Sequence, residues 1–135
     1  MQTDHPCPCG RLNARKQALG FANCCGLYIN NFASTPAPDA EALMRSRYSA
    51  FVLQRADYLL ATWHSSQRPA NIEFDAAAKW LGLEVRQHRV IDAPHAEVEF
   101  VARQKSPASP AIRLHERSRF VREDGRWYYL DGEQL

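Results

Sequence analysis

The chain has 135 residues, of which 45% are hydrophobic and 24% charged, with a formal net charge of +2. That length holds one ordinary domain, or a small domain with an appendage that needs its own staple, and the apolar fraction supplies a real core, so disorder is not the default. A charge this small does not by itself imply nucleic acid or an anionic membrane, and the start MQTDHPCPCG has no basic run followed by an apolar stretch; neither a signal peptide nor a membrane span is expected, and a cytoplasmic protein is the simplest reading.

All four cysteines fall in CPCGRLNARKQALGFANCCG, as Cys7-x-Cys9 and, fourteen residues on, Cys24-Cys25. A disulfide between neighbours is strained, because a trans peptide sets their Cα atoms only about 3.8 Å apart. Cross-pair bridges require oxidation. A redox dithiol takes the form Cys-x-x-Cys at a helix start within a βαβ pattern, and neither is present. Four thiolates around one tetrahedral Zn²⁺ suit the count, the soft ligand set and a segment too small to fold on burial alone. Pro6 and Pro8 stiffen the first pair, and Gly10 and Gly26 follow each pair where the backbone turns around the ion. Arg11, Arg15 and Lys16 either offset the two negative charges of such a centre or form a solvated face. His5 is read as solvent-exposed, since four thiolates already close a structural site.

CPCG, spacer and CCG resemble the SEC-C motif, a small zinc-binding element best known from the C-terminal tail of the SecA motor. The spacer departs from that pattern, beginning Gly10-Arg11-Leu12 and running longer. The resemblance implies zinc on Cys7, Cys9, Cys24 and Cys25, and a module, residues 1–33, that offers a surface to a protein partner.

The breaker stretch STPAP, residues 34–38, marks the module boundary. Asp39 is placed as an N-cap, with Leu43, Met44, Tyr48, Phe51 and Val52 recurring at helical spacing. A second short helix is expected through residues 57–63 and a third from Asp75 to Leu81, capped by Asp75 and stopped by Gly82. Beyond Gly82 the period becomes two, in Leu83-x-Val85, Ala96-x-Val98-x-Phe100-x-Ala102, Ile112-x-Leu114, Ser118-x-Phe120 and Trp127-x-Tyr129, separated by turn material that ends in Asp124-Gly125. The expected fold is α+β: a cone of about three helices on a curved four-stranded antiparallel sheet.

The stretches AEALMRSRYSAFVLQRADYLLATWH, WLGLEV, VEFVAR and LHERSRFVREDGRWYYLDGE resemble the YchJ family of bacterial proteins. That resemblance implies a domain over residues 39–135 similar to nuclear transport factor 2, with a cavity in the cone.

Candidate chemistry concentrates in Arg113, His115, Glu116, Arg117 and Arg119. Alternation sets the arginines and His115 on one face and Glu116 on the other unless a bulge intervenes. An enzyme reading makes His115 a base in the cone, with Arg45, Tyr48, Trp63, His64 or Trp80 lining a pocket; the alternative makes the arginine row a solvated outer face and the tryptophans core. Glu116, on the face of Leu114 and Phe120, is expected to pair with Arg45 or Arg47. No stacking motif for nucleic acid is visible. Two readings stay open: a zinc-stapled protein that binds a protein partner or a small molecule, and an enzyme with dehydratase- or isomerase-like acid/base chemistry in the cavity.

Overall fold

The computed structural model describes residues 5–75 and 77–135, so the first four residues of the segment 1–33 lie outside the described residues. A 3-10 turn at Phe21–Asn23 precedes α1 (Gly26–Ile29), α2 (Ala40–Val52) and α3 (Ala56–Ala61), and four strands follow: β1 (Lys79–Asp92), β2 (His95–Lys105), β3 (Ile112–Glu123) and β4 (Arg126–Gln134). The strands form one antiparallel meander in the order β1-β2-β3-β4. This is the expected α+β class, three helices against a curved sheet. Register shifts at three places in β1 and one between β3 and β4 bend and twist the ladder, which curves the sheet around α2.

Local chemistry explains the elements. Asp39 caps α2 by accepting a hydrogen bond from the Ala42 amide at 2.7 Å, and its extended backbone stops the helix from growing backwards. Asp124 and Gly125 both take positive φ, 52° and 77°, as a two-residue β3–β4 turn of the twist-matching kind requires. Ser46 ties α2 to α3 by a buried 2.7 Å hydrogen bond to the Tyr58 hydroxyl.

Among the described residues, the helix expected from Asp75 to Leu81 is absent; residue 76 of that stretch lies outside the described residues. Asp75 accepts from the Ala77 amide through its carboxylate and from the Ala78 amide through its carbonyl, but β1 begins directly afterwards at Lys79. A seven-residue helix has little stability of its own. Pairing of Lys79 with Lys105 and of Trp80 with Gln104, together with edge-to-face packing of Trp80 on Tyr48, favours the strand. Gly82 therefore lies in β1, at a register shift, and stops no helix. The third helix is instead α1, directly after the second cysteine pair.

The core runs through both ends of the chain. Cys7, Cys9, Cys24 and Cys25 belong to the same buried cluster as Leu43, Tyr48, Leu59, Val98 and Phe120. Arg126 on β4 reaches back to the N-terminal segment, donating to the Phe32 and Ala33 carbonyls with its guanidinium 4.2 Å from the Phe32 ring centroid. Among the described residues, no helix is long and apolar enough to cross a membrane.

Candidate functional site

The fourteen-residue spacer is a hairpin. Leu12 bridges Ala18, Pro6 bridges Gly20, and the Asn13 carboxamide oxygen accepts from the Arg15 and Gln17 amides around a positive-φ Lys16. Cys7 then donates its amide to Leu19 O at 2.8 Å, which brings the strand after the hairpin alongside the first pair. The chain turns through Phe21–Asn23 and delivers Cys24 and Cys25 from the other side. Gly10 takes a positive φ of 75°, as a turn around an ion demands. Gly26 has a different reason: a Cβ there would sit 2.6 Å from Phe21 O, so the backbone comes too close for any side chain.

All four thiols are free and buried, and their sulfurs lie within 4.8 Å of one another, with Cys9 and Cys24 Sγ 3.6 Å apart. A tetrahedron of thiolates with metal–sulfur bonds of about 2.3 Å has edges of about 3.8 Å, so this set closes around an ion with little movement. A disulfide would need sulfurs about 2 Å apart. The cluster thus suits a metal, and its geometry fits the tetrathiolate.

The four sulfurs are electrostatically unequal. Hydrogen bonding from Cys25 and then Cys9 holds Cys7 well below the usual thiol range. Cys25, hydrogen-bonded first to Cys24 and then to Cys7 and Cys9, is pushed far up, and burial pushes it the same way. Four thiolates this close repel, so complete ionisation requires a cation, and ion binding must release protons.

This centre is packed on α2. Arg45 Nη1 donates to Cys9 O at 3.1 Å while its Nε donates to Glu41 at 2.8 Å, and Ser49 Oγ lies 3.5 Å from Cys7 Sγ. Arg45 therefore serves the cysteine loop and not the cone pocket expected for it.

The opposite side of α2 faces a cavity of about 230 Å³ closed by the inner face of the sheet. Of the residues named from the sequence, Tyr48, Trp63, Trp80 and Glu116 line it, together with Arg47, Phe51, Phe100 and Tyr129. His115 does not. The β2–β3 register pairs Phe100 with Glu116 and Val101 with His115, so Glu116 points inward and His115 outward. His115 Nε2 lies 2.8 Å from Glu99, which that contact holds below the usual carboxylate range. Arg117 bonds Glu133 and Arg119 bonds Asp131, so these two arginines of the row form an ion-paired outer face. His64, too, turns outward, to Glu123 and Ser66.

The expected Glu116 ion pair is also absent among the described residues. Glu116 accepts from Ser118 Oγ at 2.8 Å, whereas Arg47 Nη1 donates to Leu59 O and Thr62 Oγ1. Arg47 lies against two rings that also touch each other edge to face, its Cζ 5.1 Å from the Trp63 centroid and 4.6 Å from the Tyr129 centroid. Burial pushes its guanidinium down to about 10, which still leaves it charged at neutral pH. Arg47 stands at i+4 from Leu43 and i+3 from Met44, and this helical spacing was the available signal that it joins the core face.

Gly132 sets the position of Glu116. A Cβ at 132 would lie 2.8 Å from the Glu116 carboxylate and 3.1 Å from the Tyr129 hydroxyl. Gly132→Ala is expected to displace the flexible Glu116 side chain and to cost about 1 kcal/mol, read as a fall of a few degrees in Tm.

Comparison with known proteins agrees with this architecture. Residues 39–132 match the family described as YchJ, middle NTF2-like domain. A UPF0225 protein of Polaromonas sp. strain JS666 is 75% identical over 127 residues, covering 94% of this chain and 91% of that one. A UPF0225 protein of Methylibium petroleiphilum is 60% identical, covering 95% and 88%. The solution structure of RPA3114, a SEC-C motif containing protein from Rhodopseudomonas palustris, matches with a TM-score of 0.78 at 31% identity, over 97% of this chain and 99% of that one. The crystal structure of a SEC-C motif containing protein from Psychrobacter arcticus gives 0.77 at 35% identity, over 93% and 80%. The chain belongs to the YchJ-like UPF0225 family.

Proposed function

We propose that this is a noncatalytic binding protein: a module over residues 1–33 held by a structural Zn²⁺ on Cys7, Cys9, Cys24 and Cys25, and a domain over residues 39–135 whose cone cavity is a ligand site. The observation that carries the zinc assignment is the closed set of four buried sulfurs, since a set of four thiolates leaves no open position for catalysis. Zinc here would supply structure, fixing the two cysteine loops against each other and against α2. The face left for a protein partner is the hairpin of residues 10–18, which carries Arg11, Arg15 and Lys16 and no acidic residue and so suits an acidic partner.

The binding reading is favoured over acid/base catalysis because both histidines considered for the cone, His64 and His115, are engaged outside the cavity. Metal analysis of protein made under reducing conditions, paired with a thiol count, tests the zinc assignment. One zinc per chain and no reactive thiol before chelation are expected; four reactive thiols and no metal would refute it.

A further inference from the structure

Two polar groups in the wall of the cone cavity, the Arg47 guanidinium and the Trp63 indole N–H, lack the partners that their burial calls for. Arg47 is only 6% exposed, and its hydrogen bonds run to a neutral carbonyl and a neutral hydroxyl. Among the described residues no carboxylate forms an ion pair with it. Trp63 lines the same cavity, and its Nε1 is buried with no hydrogen-bond partner. The two side chains are in contact through the guanidinium over the indole ring. A buried donor without an acceptor costs about 1–3 kcal/mol, and the buried guanidinium has only the field of Glu116, with no carboxylate in hydrogen-bond contact.

The remaining wall is largely apolar and aromatic, built from Phe51, Trp80, Phe100 and Leu114. Water would answer the two donors but leave those rings wetted. An occupant that answers both demands has an anionic acceptor at one end and an apolar, flat body at the other.

We infer that the cavity takes a small aromatic monocarboxylate, its carboxylate on Arg47 and Trp63 Nε1 and its ring against Phe51, Trp80 and Phe100. The volume, about 230 Å³, falls below the ~300–1,000 Å³ of drug-sized sites and limits the body to about one ring. Arg47 is suited to this role because its planar fork matches a carboxylate.

The inference rests on the cavity being a ligand site, and the test separates the two statements. Phenylacetate, the neutral phenylacetamide and toluene are titrated into the full chain and followed by NMR. The expected result is saturable binding of phenylacetate, at least tenfold tighter than phenylacetamide, with a large shift of the Trp63 indole N–H resonance. Trp63→Phe, which keeps a ring and removes the donor, should weaken phenylacetate about tenfold and leave toluene unchanged. Toluene and phenylacetamide binding as well as phenylacetate would overturn the carboxylate assignment while keeping the ligand site. No binding of any of the three would overturn both. The indole N–H shift is read on the unsubstituted protein, so the outcome does not depend on the variant folding.

Discussion

Replacing Cys25 by serine is expected to destabilise the whole protein, not only its N-terminal segment. Cys25 is 1% exposed and Cys9 0%, and both lie in the cluster that also contains Leu43, Leu59 and Phe120. Loss of one thiolate opens the metal set, and metal binding energy in small thiolate sites is folding energy of several kcal/mol or more. The cysteine loops are coupled to α2 by the Arg45 to Cys9 O hydrogen bond and the Ser49 to Cys7 contact. The variant should therefore lose about 3 kcal/mol or more, a fall in Tm of roughly 10–20 °C. Hydrogen exchange should show protection lost in α2 as well as in residues 5–33. Were α2 and the sheet to keep full protection, the module would be an appendage resting on the cone. This coupling has a practical consequence: cysteine substitutions cannot isolate a partner-binding role, and charge reversal at Arg15 and Lys16 on the exposed hairpin is the cleaner probe.

The second large effect is expected at Arg47. Its Nη1 joins the end of α3, through Leu59 O at 2.8 Å and Thr62 Oγ1 at 2.7 Å, to α2. The rings of Trp63 and Tyr129 cover its guanidinium. Close by, the Tyr129 amide donates to Thr62 O and the His64 amide to Tyr129 O, tying α3 to β4. Arg47→Met would remove the desolvation cost of a buried cation, which favours the variant. Against that stand a buried carbonyl left with only the long 3.4 Å contact from Thr62 Oγ1, about 1–3 kcal/mol, and two cation–π contacts worth up to about 2 kcal/mol each when desolvated. The losses win, and the variant should be less stable by about 2–4 kcal/mol in urea unfolding. Arg47→Lys should rescue only part of this, because an ammonium offers the two rings no planar delocalised face and reaches fewer acceptors than the guanidinium fork. A Met variant as stable as the parent would mean that desolvation cancels the contacts.

Local signals were legible where a residue's chemistry decides its own neighbourhood. Asp39 announced α2, Asp124-Gly125 announced the last hairpin, and alternation along 112–123 correctly separated Glu116 from His115. What was not legible depended on partners distant in sequence. Asp75 looks like a helix cap, and it does accept from the Ala77 amide, but only the β2 edge and the Tyr48 ring decide that Trp80 belongs to a strand. Arg45 and Arg47 are two residues apart on one helix, about 200° around its axis. That separation sends one to the cysteine loop and the other to the cavity, a division that shows only when both neighbours of α2 are in place. The cysteine spacing pointed to a metal set, yet nothing in it showed that the spacer folds as a hairpin or that the site shares a core with the cone.

The central claim is that four thiolates hold one metal ion as part of the core. X-ray absorption at the zinc edge of the protein purified under reducing conditions tests it most directly. A first shell of four sulfurs at about 2.3 Å, with no nitrogen or oxygen, is the predicted result. A mixed shell containing nitrogen or oxygen, or no bound zinc at all, would contradict it.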